Sequence, residues 1–197
     1  MRYLGHSTVP ASTIVEAQRT ARDRGRERFV TEQPPYSVLT RAVENEVLPV
    51  CQRYGMGVIP DSPLAGGWLS GRYRKDGDPT GPTSVARHRL ADRFDLSLPE
   101  NQRKLDAAEQ LSDLADQAGL TLIQLALAFV PRHPAVTAPI IGPRTMDHLQ
   151  SQLAAADVVL TDDVLDRIDE IVPPGVTLNP ADNGWVSPAL QPAVRRR

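Results

Sequence analysis

The stretch RFVTEQPPYSVLTRAVENEVLPVCQRYGMGVIP, residues 28–60, decides the fold. Arg28-Phe29-Val30-Thr31 is a short apolar run closed by Gln33-Pro34-Pro35-Tyr36, which reads as a strand and its turn. Residues 39–54 then carry Val43, Val47, Val50, Cys51 and Tyr54 on one helical face, and Gly55 stops the helix. Gly57-Val58-Ile59-Pro60 follows as a second apolar run without polar alternation, the pattern of a strand buried on both faces. Strand, helix and strand within about 30 residues make a βαβ unit, whose strands are parallel.

The same alternation extends in both directions. Upstream, Arg2-Tyr3-Leu4-Gly5 reads as a strand, and residues 12–24 as a helix with Ile14, Ala17 and Ala21 on one face and Gly25 as its stop. Downstream, residues 62–99 form a long irregular loop rich in Gly, Pro, Asp and Arg; loops of that length inside a domain usually carry function. Residues 100–118 are helical, with Leu111, Leu114, Ala115 and Ala118 together and Gly119 beyond them. Thr121 and Gln124 have capping-box spacing, and the helix they open, Leu122 to Val130, is apolar nearly all round and so predicted to be buried. Pro139-Ile140-Ile141-Gly142 is the fourth expected strand, followed by a helix with Met146, Leu149 and Leu153. A last helix after Thr161 carries Val164, Leu165, Ile168 and Ile171, and residues 174–197 form an irregular tail ending in Arg195-Arg196-Arg197. Four strand–helix units in one domain, residues 1–197, predict a parallel α/β sheet. A closed barrel needs eight such units and about 250 residues, so the alternatives are an open sheet or part of a barrel.

Composition narrows the function. Lys+Arg 22 against Asp+Glu 24 gives a net charge of −2, which lacks the positive excess of a nucleic-acid binder. The single cysteine, Cys51, excludes an internal disulfide and any multi-cysteine metal site, and its place on an apolar helix face predicts a buried thiol. His6, His88, His133 and His148 lack metal-ligand spacing, so no metal is expected. No apolar run approaches the roughly 20 residues of a membrane span, and the N-terminus lacks the apolar region of a secretory signal; a cytoplasmic protein is expected.

Three strand ends carry a resemblance. Gln33-Pro34-Pro35-Tyr36, Ile59-Pro60-Asp61-Ser62-Pro63-Leu64-Ala65-Gly66-Gly67 and Pro139-Ile140-Ile141-Gly142-Pro143-Arg144-Thr145, each after an expected strand, together resemble the aldo-keto reductases. Leu178-Asn179-Pro180-Ala181-Asp182 is similar to the tail of one bacterial branch of that family. The resemblance implies part of a (β/α)8 TIM barrel, the C-terminal half from about the fifth strand onward. It also implies an NADP(H)-dependent oxidoreductase acting on carbonyl or alcohol substrates.

The resemblance assigns no catalytic residue to this chain, because the family's Asp, Tyr, Lys and His come from the first four strands. It assigns cofactor contacts. Ser7 and Gln33 match positions that bind the nicotinamide carboxamide. Ser62, Pro63, Leu64, Ala65 and Gly66 match the pyrophosphate loop, and Arg72 a basic position in it. Gly142 and Arg144 match the turn into the last helix, with Arg144 toward the adenosine 2′-phosphate. His148 and Gln152 stand near the adenine, where the family usually has Gln and Asn. Thr8 and Val9 replace an Asn and an aromatic, and Asp61 replaces the Trp, Tyr or Phe that stacks on the nicotinamide, which predicts weakened NADP(H) binding. The alternative reading is a non-catalytic dinucleotide- or phosphate-binding remnant or regulatory protein. Either way, open sheet edges predict a homo-oligomer or a partner that supplies the missing half-barrel.

Overall fold

Among the described residues, three parallel strands form the sheet in the order β1 (Leu4–Ser7), β2 (Phe29–Gln33) and β3 (Gly57–Val58). The computed structural model describes residues 2–75, 90–190 and 193–194. The centre of the expected long loop, residues 76–89 with His88, and Arg195, Arg196 and Arg197 of the tail lie outside the described residues. β1 pairs with β2 from Gly5–Thr31 to Ser7–Gln33, and β2 with β3 through Thr31–Gly57 and Glu32–Val58. Both of the first two strands therefore end two residues later than the apolar runs suggest, because His6 and Ser7, and Glu32 and Gln33, join the ladder despite their polarity.

Helix α1 (Ala11–Asp23) connects β1 to β2 and buries Ile14, Gln18 and Ala21, spaced by four and three residues. The side chain of Gln18 donates to the Phe29 carbonyl at 2.7 Å, which locks the helix to the start of β2. The helix expected over 39–54 is instead a 3-10 turn, Ala42–Glu44, followed by α2 (Val47–Arg53). Pro49 is the reason. It has no N–H and its ring collides with the carbonyl four residues back, so the helix can begin no more than a turn before it. Cys51 of α2 is fully buried, and burial pushes its thiol up to about 12.

Beyond β3 the described helices are α3 (Pro99–Gln117), α4 (Leu122–Phe129), α5 (Met146–Leu153) and α6 (Asp162–Ile171). Thr121 caps α4 with the full capping box: its hydroxyl accepts from Gln124 N–H at 3.2 Å, and Gln124 Oε1 accepts from Thr121 N–H at 2.9 Å. α4 is the buried helix, with Leu122 and every residue from Leu125 to Phe129 out of solvent. It shares one core cluster with Ile14, Leu48, Val58, Leu111 and Ile168. Among the described residues, no single helix is long and apolar enough to cross a membrane.

The expected fourth strand at Pro139–Gly142 does not form. The chain runs beside β3 through one parallel bridge, Val58–Val136, with Thr137 N–H donating to the Val58 carbonyl at 2.7 Å and Ile140 N–H to the Pro60 carbonyl at 2.8 Å. Pro60 and Pro139 face this seam from its two sides, and neither has an N–H to extend the ladder. Gly57 lets the two chains approach: a Cβ there would lie 2.8 Å from Thr137 Oγ1.

Two buried cations tie the later elements together. Arg41 donates to Glu44 at 2.8 Å, to Asp169 of α6 at 2.6 Å and to the Val172 carbonyl at 2.6 Å. Glu44 in turn accepts from the Tyr36 hydroxyl at 2.7 Å and from Gly175 N–H at 2.9 Å. Lys104 of α3 is wholly buried, with its ammonium 2.7 Å from Asp182, 2.8 Å from the Arg93 carbonyl and 4.7 Å above the ring of Trp68. Burial pulls its pKa below the usual lysine range, and the Asp182 carboxylate works against that shift. Removing one partner of such a pair strands the other charge in the core. Asp182→Ala is expected to cost about 3 kcal/mol in urea unfolding. The double variant Lys104→Met/Asp182→Ala should lose much less, and equal losses would show that the pair is not coupled.

Candidate functional site

Among the described residues, three other than glycine adopt left-handed backbone: Thr8 (φ 56°), Ser62 (φ 57°) and Ala65 (φ 50°). All three follow the C-terminal ends of strands, Thr8 after β1 and the other two after β3. Such residues cost on the order of 1–3 kcal/mol each and tend to gather where a chain is shaped for binding. Thr8 N–H, the Thr8 hydroxyl and the Ser7 hydroxyl all point to the Gln33 carbonyl, at 3.2, 3.4 and 3.2 Å. That leaves the half-buried Gln33 side-chain amide without a partner among the described residues.

The turn after β3 is stitched to the turn after β2. Asp61 N–H donates to the Pro34 carbonyl at 3.1 Å, and Tyr36 N–H to the Asp61 carbonyl at 3.2 Å. The Asp61 carboxylate, half-buried, accepts from the Ser62 hydroxyl at 2.7 Å. Pro63 is buried beneath, and Leu64 opens a 3-10 run, Ala65–Ser70, that turns at Gly66 and ends on fully buried Trp68 and Leu69. Trp68 stacks on Tyr73 at 4.2 Å, which stands between exposed Arg72 and half-buried Arg74.

Arg72 meets α5. Its guanidinium lies 3.4 Å from His148 Nε2, across 76 residues of sequence. Thr145 caps α5, accepting from His148 N–H at 3.2 Å, while Met146 and Asp147 N–H have no partner among the described residues. Gly142 and Arg144 lie exposed just before this N-terminus, and Arg144 forms no ion pair with any described residue. One turn along α5 from His148, Gln152 is nine-tenths buried with its Oε1 unsatisfied. A guanidinium in contact with His148, a second one just before the helix and two unpaired helix N–H groups thus stand at the start of α5, a combination suited to an anion, while the unsatisfied Gln152 Oε1 is itself buried. The expected residues therefore fall into two groups. Ser7, Gln33 and Ser62 sit together on the stitched turns; Arg72 and His148 touch, with Gly142, Arg144 and Gln152 on the same turn and helix.

One polar cluster beside Gln33 has no sequence signal. Glu32 is fully buried; its Oε1 accepts from Val9 N–H at 3.3 Å, and its Oε2 lies 3.7 Å from His6 Nδ1, neither of those last two atoms having a hydrogen bond. Burial pushes the Glu32 carboxyl above its usual range and His6 below the usual imidazole value. A carboxyl whose pKa the fold raises holds its proton more tightly than in the unfolded chain, so its contribution to stability falls as pH rises from the ordinary carboxylate range through the raised value. His6 has the opposite sign, losing stability as pH falls below the ordinary imidazole value. Glu32→Gln, measured at pH 8 where His6 is neutral, is expected to raise the melting temperature by a few degrees. The gain should shrink toward pH 4.5, and a pH-independent gain would assign it to packing instead.

Comparison with known proteins agrees with the strand-end pattern. The sequence model of the Aldo/keto reductase family matches residues 1–173. The chain is 39% identical over 171 residues to "Uncharacterized oxidoreductase YrpG" of Bacillus subtilis, covering 87% of this chain and 49% of that protein. It is 34% identical to "Protein tas" of Escherichia coli over 171 residues, covering 87% and 48%, and 30% identical to "Norsolorinic acid reductase B" of Dothistroma septosporum over 174 residues, covering 87% and 41%. The chain belongs to the aldo/keto reductase family and is an oxidoreductase-like α/β protein. It spans about half the length of the first two of these relatives.

Proposed function

We propose that this chain is the cofactor-binding half of an aldo/keto reductase, from the fifth barrel strand onward, and that it holds NADP(H) across its strand ends. The observation that carries the reading is the contact of Arg72 with His148 beside the orphaned Gln152 Oε1 and the unpaired start of α5. In this reading Arg144 and the Met146 and Asp147 N–H groups take the adenosine 2′-phosphate, and His148 and Gln152 stand near the adenine. Ser62, Pro63, Leu64, Ala65, Gly66 and Arg72 follow the pyrophosphate, while Ser7 and Gln33 take the carboxamide. When bound, the nicotinamide supplies hydride chemistry toward a carbonyl or alcohol substrate. Asp61 offers no aromatic face, so the nicotinamide end is held less firmly than the phosphate end.

No catalytic residue is assigned to this half. Tyr36 spends its hydroxyl on Glu44, Lys104 is paired with Asp182, and Lys75 with Asp106 at 2.7 Å. Asp61 also favours a second reading, a non-catalytic phosphate- or dinucleotide-binding protein. Titration separates NADPH from NADH: NADPH should bind more tightly, and Arg144→Ala should weaken NADPH about tenfold or more while sparing NADH, as loss of a charge-assisted contact predicts. Equal affinities, or an unaffected variant, would remove the 2′-phosphate assignment.

Assembly belongs to the same proposal. No described strand pairs with the outer edge of β1, and Tyr3, Val30 and Ile140 are 78%, 38% and 42% exposed. Exposed edges and apolar side chains of this kind pair with another chain. Light scattering at low micromolar concentration should find a homo-oligomer, unless a partner supplies the remaining strands. The isolated chain should not turn over a simple aldehyde with NADPH. A stable, cooperatively melting monomer, or NADPH-dependent turnover, would overturn the half-barrel reading.

A further inference from the structure

A cavity of about 240 Å3 opens between the turn after β1, Pro34–Pro35 after β2, residues 42–47 and the tail at Asn183 and Trp185. None of the residues proposed for the dinucleotide lines it. We propose that this cavity is a separate binding site for a small, neutral, single-ring aromatic molecule.

Size, lining and charge each narrow the ligand. The volume falls below the roughly 300–1,000 Å3 of drug-sized pockets, which leaves room for one ring with one or two substituents. Val9, Pro10, Pro34, Pro35 and Val43 present apolar surfaces, and the half-exposed indole of Trp185 forms a flat wall. Flat apolar walls favour an aromatic ring over a branched aliphatic group. Glu46 is the one ionisable side chain in the lining, so a carboxylate or phosphate on the ligand meets repulsion.

The wall is built before any ligand arrives. Asn179 donates to the Asp92 carbonyl at 2.9 Å and to Asn101 Oδ1 at 2.8 Å, and Asp182 is held by Lys104. Gly184 (φ 72°) then lies against the opposite rim so closely that a Cβ would come within 2.9 Å of Thr8 Cγ2 and 3.3 Å of Pro35 Cγ. Trp185 follows directly from this contact, and the left-handed Thr8 shapes the turn that faces it. A pocket fixed in this way loses little freedom on binding.

The test uses the full chain, isotopically labelled, and follows amide and indole resonances during titration with 4-methylphenol and with 4-methylbenzoate. Saturable shifts at Val9, residues 42–47 and the Trp185 indole are expected with 4-methylphenol in the low millimolar range, with 4-methylbenzoate about fivefold weaker or more. Trp185→Ala should weaken 4-methylphenol about fivefold or more. Asn183→Trp, which fills the mouth without touching the core, should do the same, and it decides the matter if Trp185→Ala loosens the tail. Arg144→Ala should leave 4-methylphenol binding unchanged, which separates this site from the dinucleotide reading. Unsaturable shifts, shifts that map elsewhere, equal affinity for the benzoate, binding untouched by Asn183→Trp, or competition by NADPH would each overturn the proposal.

Discussion

The ammonium of Lys104 has left water entirely, and what it meets there organises half the chain. A lone charge in that position is prohibitive. The protein answers with a carboxylate from the tail, a carbonyl from the segment before α3 and the faces of Trp68 and Phe94. Those partners come from three separate stretches, so the charge can be satisfied only when the turn after β3, the segment before α3 and the tail have all reached their places. Hydrophobic packing alone would tolerate several arrangements of these elements; the ion pair tolerates one.

Arg41 does the same for the other half. Its guanidinium fork engages two carboxylates and a carbonyl, joining the 3-10 turn after β2 to the end of α6, with the Phe129 ring 5.1 Å away. The planar, permanently charged fork suits this role better than lysine, whose ammonium cannot span three acceptors in fixed directions. Between them the two cations hold the helices against a sheet of three short strands. Strain at Thr8, Ser62 and Ala65 is affordable at the strand ends because these anchors stand behind them.

Helices were the legible part of the fold. Thr121 with Gln124, and the stops at Gly25, Gly55 and Gly119, mark boundaries through local chemistry that needs no tertiary context. The irregular elements were less so. Pro49 could be weighed against the long apolar stripe only by knowing that residues 36–41 are buried in extended and turn conformations. Pro139 and Pro60 each permit a strand alone, and only their apposition across one seam prevents it. Of the candidate site, the strand-end motifs marked Gln33, Ser62 and Arg144. The contact of Arg72 with His148 depends on how two distant segments fold back, and the burial of Glu32 and Lys104 has no period or motif to announce it.

The two tryptophans sit in opposite circumstances, and this gives the chain two natural optical reporters. Trp68 is wholly buried, stacked on Tyr73 and close to a cation, while Trp185 is 43% exposed on the tail. Emission from the first belongs at shorter wavelength and should shift red only when the core opens; the second already emits toward the red edge and senses what touches the tail. A change confined to long-wavelength emission therefore reports on the tail with the core intact, whereas a change at short wavelength reports on global unfolding. Local and global transitions of this protein can be told apart in one spectrum, without an added label.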